Sequence, residues 1–270
     1  MIKLAVFDID RTLIPTETGV VAPETVAALK QLQAKGIKIA IASGRLYSFL
    51  QTELLDIGFD YYILSNGTCI TDGTGKVLAL ENLVPERVEE LVQELIRRDY
   101  PSNIRYSGGQ RTGNPNCTVH ERMQPIWEKR NMKPKPPKGM RVEYVPQPGE
   151  KPISCSAFIP EEEQEEFIRM FPDMEFLPVF ESPLCDVNPA GVSKGSGLKL
   201  VCALMNITPE ETVGFGDDWN DLDLIRTAGI GVAMENGIQA LKDEADYIAP
   251  PSVDLGVVRA LRHLGLIDEI

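Results

Sequence analysis

Lys3-Leu4-Ala5-Val6-Phe7-Asp8-Ile9-Asp10-Arg11-Thr12-Leu13 begins with an unbroken apolar run, Leu4 to Phe7, and stops abruptly at two carboxylates and a hydroxyl. The run is too short for a helix and shows no polar alternation. A strand buried on both faces of a parallel sheet reads this way. In open α/β sheets ligands bind just beyond the carboxyl ends of the strands. Asp8 and Asp10 therefore stand where chemistry is placed. An isolated Asp-x-Asp more often only turns the chain; the residues further along decide against that reading here.

The same pattern recurs twice. Ala22-Pro23-Glu24-Thr25-Val26 opens a helix with Val26, Leu29 and Leu32 as its core stripe and Gly36 at its end. Ile37 to Ala42 reads as the next strand, ending at Ser43-Gly44-Arg45, with a second helix expected to follow. A hydroxyl and a glycine at a helix start make an anion site, although plain capping uses the same residues. Tyr61 to Leu64 reads as a third strand, followed by Ser65-Asn66-Gly67 and a hairpin turn at Asp72-Gly73.

The rhythm then changes. Pro85 opens a helix carrying Val88, Leu91, Val92, Leu95 and Ile96. From Arg105 to Gly149 the chain is rich in Pro, Gly and Lys, with a strand-like piece at Met140 to Val145. Lys129, Arg130, Lys133, Lys135, Lys138 and Arg141 form its one basic stretch, which reads best as a solvated loop. Glu161 to Phe171 reads as a short acidic helix and Met174 to Phe180 as a strand. Asp186 to Gly195 leads back to strands at Thr212–Phe215, Ile230–Met234 and Tyr247–Ala249, with helices near 238–245 and 254–264. The expected fold is therefore α/β: a doubly wound, mostly parallel sheet formed by 1–83 and 185–270, with an inserted α+β cap over 84–184.

Composition narrows the function. The chain has 270 residues, 43% hydrophobic and 25% charged, as soluble globular proteins have. A net charge of −13 argues against a nucleic-acid backbone or an anionic membrane as the partner. Five scattered cysteines without a C-x-x-C suit reduced thiols and a cytoplasmic setting. The first strand begins at residue 2, leaving no room for a signal peptide, and no apolar run reaches the ~18 residues of a membrane span. With only His120 and His263 present, a metal here should be a hard ion on oxygen ligands.

Three strand ends carry such groups: Asp8/Asp10, Ser43 and Asp217/Asp221, and Lys194 opens another helix. Carboxylates converging on one sheet edge repel one another and raise each other's pKa. A dication such as Mg2+ resolves this through one or two carboxylates, waters and a substrate phosphate. With Lys194 adding positive charge, the constellation suits a phosphoryl group.

These residues resemble the haloacid dehalogenase superfamily of phosphohydrolases, in its Cof-type branch with a large cap. The likeness rests on Asp8-Ile-Asp10-Arg-Thr12-Leu, Ser43-Gly-Arg45, Ser65-Asn66-Gly67, Gly191-Val-Ser-Lys194-Gly, Gly216-Asp217-x-x-Asn220-Asp221 and Gly231-Val-Ala-Met-x-Asn236, in that order. The resemblance implies Asp8 as nucleophile, forming an aspartyl-phosphate, and Asp10 as general acid and then base. It implies Mg2+ on Asp8, Asp217 and the Asp10 backbone carbonyl. Thr12 and the N–H groups of Ser43 and Gly44 would hold phosphate, with Lys194 stabilising transition-state charge. Asn220 and Asp221 would orient Lys194 and metal-bound water. Arg45 and Asn236 are candidate substrate contacts, Arg45 being as readily structural, and Arg105, Tyr106 and Arg122 are unranked ones. Arg11 departs from the family, where glycine is frequent, and reads either as meeting a substrate or, as the better of the two, as extending into solvent. The substrate expected is a small phosphorylated metabolite such as a sugar phosphate, nucleotide or phosphorylated cofactor. A phosphosugar mutase is the alternative enzyme, and a phosphometabolite-binding protein without activity the non-enzyme one. Oligomeric state is not legible.

Overall fold

The computed structural model describes residues 1–129, 143–179 and 182–269. The chain divides into two compact units, one of Met1–Gly44, Gln51–Ala79 and Ser193–Ile270, the other of Arg45–Leu50 and Leu80–Val192. In chain order the strands are β1 (Leu4–Phe7), β2 (Lys38–Ala42), β3 (Tyr61–Leu64), β4 (Cys69–Asp72), β5 (Val77–Leu80), β6 (Ser102–Tyr106) and β7 (Gly109–Thr112). There follow β8 (Ser154–Phe158), β9 (Met174–Pro178), β10 (Leu184–Pro189), β11 (Thr212–Gly216), β12 (Ile230–Met234) and β13 (Tyr247–Ala249).

The first unit is built on an eight-stranded sheet in the order β13-β12-β11-β1-β2-β3-β4-β5. Neighbours from β13 through β3 run parallel, and β4 returns antiparallel to β3. All four residues of β1 are buried. Leu4 and Val6 pack with Leu198 and Val201 of the Lys194–Met205 helix and with Leu224. With period-two alternation, Ala5 and Phe7 turn to the opposite face, where Phe7 stacks on Phe215 with ring centroids 4.8 Å apart. This is why the strand shows no alternation in sequence. The Pro23–Ala34 helix packs beside β2 and the Gly256–His263 helix beside β12 and β13. Gly36, at φ +80, ends the first helix as its position suggests.

Local expectations differ in two places. No helix starts at Arg45: a bend and a 3-10 turn at Tyr47–Phe49 come first, and the next helix, Thr52–Leu55, has only four residues. Val26 is half-buried, and Thr25 and Ala28 join Leu29 and Leu32 on the buried face. Asp72 does close the β4–β5 turn, accepting from the N–H groups of Thr74 (2.9 Å) and Lys76 (3.1 Å).

The second unit is built on a five-stranded sheet, β7-β6-β8-β10-β9, with every neighbouring pair antiparallel. One face carries Ile104, Tyr106, Cys155, Ala157, Phe176 and Val187 against Leu91, Leu95 and Phe167 of the Pro85–Arg97 and Glu161–Met170 helices. Asp186-Val187-Asn188-Pro189, which reads as a connection in sequence, is part of β10 in this sheet. The Pro- and Lys-rich region also holds β6, β7 and a Val119–Lys129 helix. Arg130 to Arg141 of the basic stretch, the first half of the strand-like piece at Met140–Val145 and the end of the strand expected to Phe180 lie outside the described residues, and Glu143 to Val145 are not strand. Among the described residues no helix is long and apolar enough to cross a membrane, and all five cysteines are free thiols.

Candidate active site

Register assembles the site. β1 lies between β11 and β2 with Phe7 opposite both Phe215 and Ile41. Asp8 follows Phe7 directly and Asp217 follows Phe215 after Gly216, at the same edge, and the Asp8 N–H continues the ladder to Phe215 O at 3.0 Å. Ser43 leaves β2 at that edge, its N–H donating to Ile63 O at 2.8 Å. That bond corrects one expectation: the Ser43 N–H is held in the ladder and is not offered to a phosphate. Without a helix after Gly44, the macrodipole expected there is also missing.

Lys194 comes from the first turn of the Lys194–Met205 helix, fixed by a capping box. Ser193 Oγ accepts from the Ser196 N–H (3.0 Å), and Ser196 Oγ accepts from the Ser193 N–H (2.9 Å). The helix start sits hard against the β3–β4 turn: a Cβ on Gly67, at φ +104, would lie 2.1 Å from Ser193 O. Only glycine satisfies both that angle and that approach.

The Lys194 ammonium is fully buried and donates to Asp8 Oδ1 at 2.7 Å and Asp221 Oδ1 at 2.6 Å. Burial works against its charge, but Asp221 and Asp8 outweigh that and raise its pKa. Asp221 Oδ2 accepts from the N–H groups of Asp217 (2.9 Å) and Asp218 (3.1 Å), so both its oxygens serve the protein. Gly216 permits this fold-back, since a Cβ there would lie 2.4 Å from Asp221 Cβ.

The carboxylate oxygens of Asp8, Asp217 and Asp221 lie within 4.8 Å of one another. Burial, reinforced by Asp221 and Asp10 against the pull of Lys194, pushes Asp8 up to about 7. Burial, then Asp8 and Asp221, hold Asp217 well above the usual carboxylate range, with Arg11 opposing. Asp217 Oδ2 is buried and makes no hydrogen bond, and such an atom calls for a partner. An all-oxygen cluster short of positive charge fits a hard dication. Because Asp221 is engaged at both oxygens, Asp8 and Asp217 are the carboxylates able to hold it.

Other expected residues take different places. The Thr12 hydroxyl donates to Asp217 Oδ1 (3.4 Å), steadying that carboxylate instead of facing a phosphate. Arg11 turns inward: Nη1 is 3.3 Å from Asp217 Oδ2, and Nη2 donates to Asn236 O. Asn236 is a clamp, its Nδ2 donating to Arg11 O (2.9 Å) and its Oδ1 accepting from the Ser252 N–H (2.8 Å). Asn220 Nδ2 donates to Asn66 Oδ1 (2.9 Å), and the Asn66 N–H donates to Ser43 O (3.0 Å). Asn66, fully buried at φ +56, thus ties together the Ser43 and Asn220 loops. The sequence signalled it only as the middle of Ser65-Asn66-Gly67 at a strand end. Arg45 belongs to the second unit. There Tyr106 is core packing, Arg122 pairs with Asp99 (3.0 Å), and Arg105 Nη1 is bound to Asp186 Oδ1 (3.0 Å).

The haloacid dehalogenase-like hydrolase family matches residues 5–261. The chain belongs to that family and is an enzyme of its phosphatase kind. It is 28% identical to an HMP-PP phosphatase of Serratia proteamaculans, over 90% of this chain and 87% of that one. It is 26% identical to the 5-amino-6-(5-phospho-D-ribitylamino)uracil phosphatase YcsE of Bacillus subtilis, over 97% and 95% of the two chains. Its structure resembles that of the subclass IIB sugar phosphatase BT4131, with a TM-score of 0.84 and 28% identity over 98% of this chain and 100% of the other.

Proposed function

We propose that the protein is a Mg2+-dependent phosphatase that hydrolyses a small phosphorylated metabolite through an aspartyl-phosphate on Asp8. The observation that carries this is the fully buried Lys194 held between Asp8 and Asp221. It fixes one Asp8 oxygen and leaves the other to attack. That oxygen attacks phosphorus, the P–O bond to the leaving group breaks, and the Asp10 carboxyl gives its proton to the departing oxygen. The Asp10 carboxylate then takes a proton from water, which attacks phosphorus and breaks the bond to Asp8, releasing phosphate. Lys194, the Ser43 hydroxyl and the Gly44 N–H hold the phosphoryl oxygens. Asp8, Asp217 and the Asp10 carbonyl would hold Mg2+, which supplies charge neutralisation at the carboxylates and the phosphoryl group. Asp221 and Asn220 position Lys194 and the loop that carries Asp217.

Specificity belongs to the second unit, because the first unit's groups address only phosphate. The relatives support this: similar along nearly their whole length, they carry the names of an HMP-PP phosphatase, a 5-amino-6-(5-phospho-D-ribitylamino)uracil phosphatase and a sugar phosphatase. Free thiols throughout suit a cytoplasmic enzyme.

A panel of hexose, pentose, nucleoside and pyrimidine phosphates, assayed for released phosphate with the organic product identified, tests the reading. Hydrolysis of one class well above the rest is expected. Conversion of a hexose 1-phosphate to its isomer without phosphate release would replace hydrolysis by phosphoryl migration.

A further inference from the structure

We propose that Arg11 is an internal cation that competes with the metal ion for Asp217, so that this arginine weakens metal binding. The proposal rests on the reading of Asp217 as a metal-holding carboxylate. Arg11 Nη1 lies 3.3 Å from Asp217 Oδ2, the buried oxygen that makes no hydrogen bond. The contact is built, not incidental. Arg11 Nη2 donates to Asn236 O, Asn236 Nδ2 donates back to Arg11 O (2.9 Å), and Asn236 Oδ1 is itself held by the Ser252 N–H (2.8 Å). The guanidinium is thereby held over Asp217 by the loop that follows β12.

The backbone adds an independent observation. Arg11 has φ +64, in the left-handed region where a side chain is disfavoured and glycine is not. The chain carries its arginine at that angle, and the side chain meets a buried carboxylate instead of solvent.

Electrostatics gives the consequence. Mg2+ coordinates carboxylate oxygen at about 2.1 Å. A dication on Asp217 and a guanidinium at its present distance would be like charges a few ångströms apart in a partly buried site, where screening is weak. Loading the metal therefore requires the guanidinium to withdraw from Asp217. Without metal, the same group supplies part of the charge the acidic cluster lacks.

Calorimetric titration of Mg2+ into wild type, Arg11→Gln, Arg11→Gly and Asp217→Asn tests this, with thermal unfolding of each metal-free protein. Arg11→Gln keeps a Cβ at the left-handed position and Arg11→Gly removes it, which separates charge from backbone. Both Arg11 variants should bind Mg2+ about fivefold more tightly, the worth of a partly exposed ion pair. Metal-free Arg11→Gln should unfold at a lower temperature than wild type. Weaker or unchanged Mg2+ binding in both Arg11 variants, while Asp217→Asn abolishes it, would overturn the competition and leave the ligand reading standing. Wild-type Mg2+ affinity in Asp217→Asn would overturn the ligand reading itself.

Discussion

Lys194 is a fully buried ammonium whose two partners, Asp8 and Asp221, are themselves buried. Replacing it with methionine keeps the volume and leaves two buried carboxylates without a cation. The usual cost of breaking such a pair is about 3–5 kcal/mol. Urea unfolding of Lys194→Met at pH 7.5 should show a loss of that order. The loss should shrink at pH 5, because Asp8, raised to about 7, is then protonated and no longer needs the cation. An undiminished loss at pH 5 would mean that packing, not charge, dominates. The same raised value bears on metal binding. Protons compete with Mg2+ for Asp8, so metal affinity should fall as pH drops below about 7. That Asp8, Asp217, Asp221 and Lys194 would come together was legible, because the carboxyl ends of parallel strands lie on one edge. The contacts of Arg11, Asn66 and Asn236 were not. What those three touch is decided by which loops the tertiary fold brings together, and Arg11 even points opposite to the direction its polarity suggests.

The parallel strands announced themselves, since burial on both faces leaves an uninterrupted apolar run, as in β1 and β12. The antiparallel sheet hid its strands. β6, β8 and β10 include Asn103, Arg105, Ser154, Ser156, Asp186 and Asn188, so the apolar pattern is sparse and resembles loop sequence. Pro125 concealed the Val119–Lys129 helix in the same way. The Pro85–Arg97 helix was plain from its stripe, yet its tie to the Glu161–Met170 helix was not. That tie is Arg98, which pairs with Glu94 (2.7 Å), Glu163 (2.5 Å) and Glu166 (2.7 Å) and stands 4.9 Å over the Phe167 ring. Arg97, then Arg98, hold Glu94 down to about 2 from its ordinary 4.5. A depressed carboxylate adds stability above its unfolded pKa and loses it as pH falls through the folded one. The contribution of Glu94 should therefore be intact above pH 4.5 and fade toward pH 2. Thermal midpoints of wild type and Glu94→Gln should differ at pH 6 and converge near pH 2. A constant gap across that range would remove Glu94 from the acid sensitivity.

For the molecule as a whole, the proposed division of labour between the two units rests on where the charges lie. The first unit concentrates Asp8, Asp10, Asp217, Asp221 and Lys194 at one sheet edge. On the proposed reading these groups handle the phosphoryl group and leave the rest of the substrate to other residues. Membership of the family was readable from six short motifs. The substrate was not, because the second unit's polar residues acquire meaning only from their final positions. The most direct test is phosphate release from p-nitrophenyl phosphate by wild type and Asp8→Asn, each with and without Mg2+. Wild type should turn over only with Mg2+, and Asp8→Asn should fold normally while losing several orders of magnitude in rate, at least ~10³-fold. An Asp8→Asn enzyme retaining more than about a tenth of the wild-type rate would contradict a covalent intermediate on Asp8.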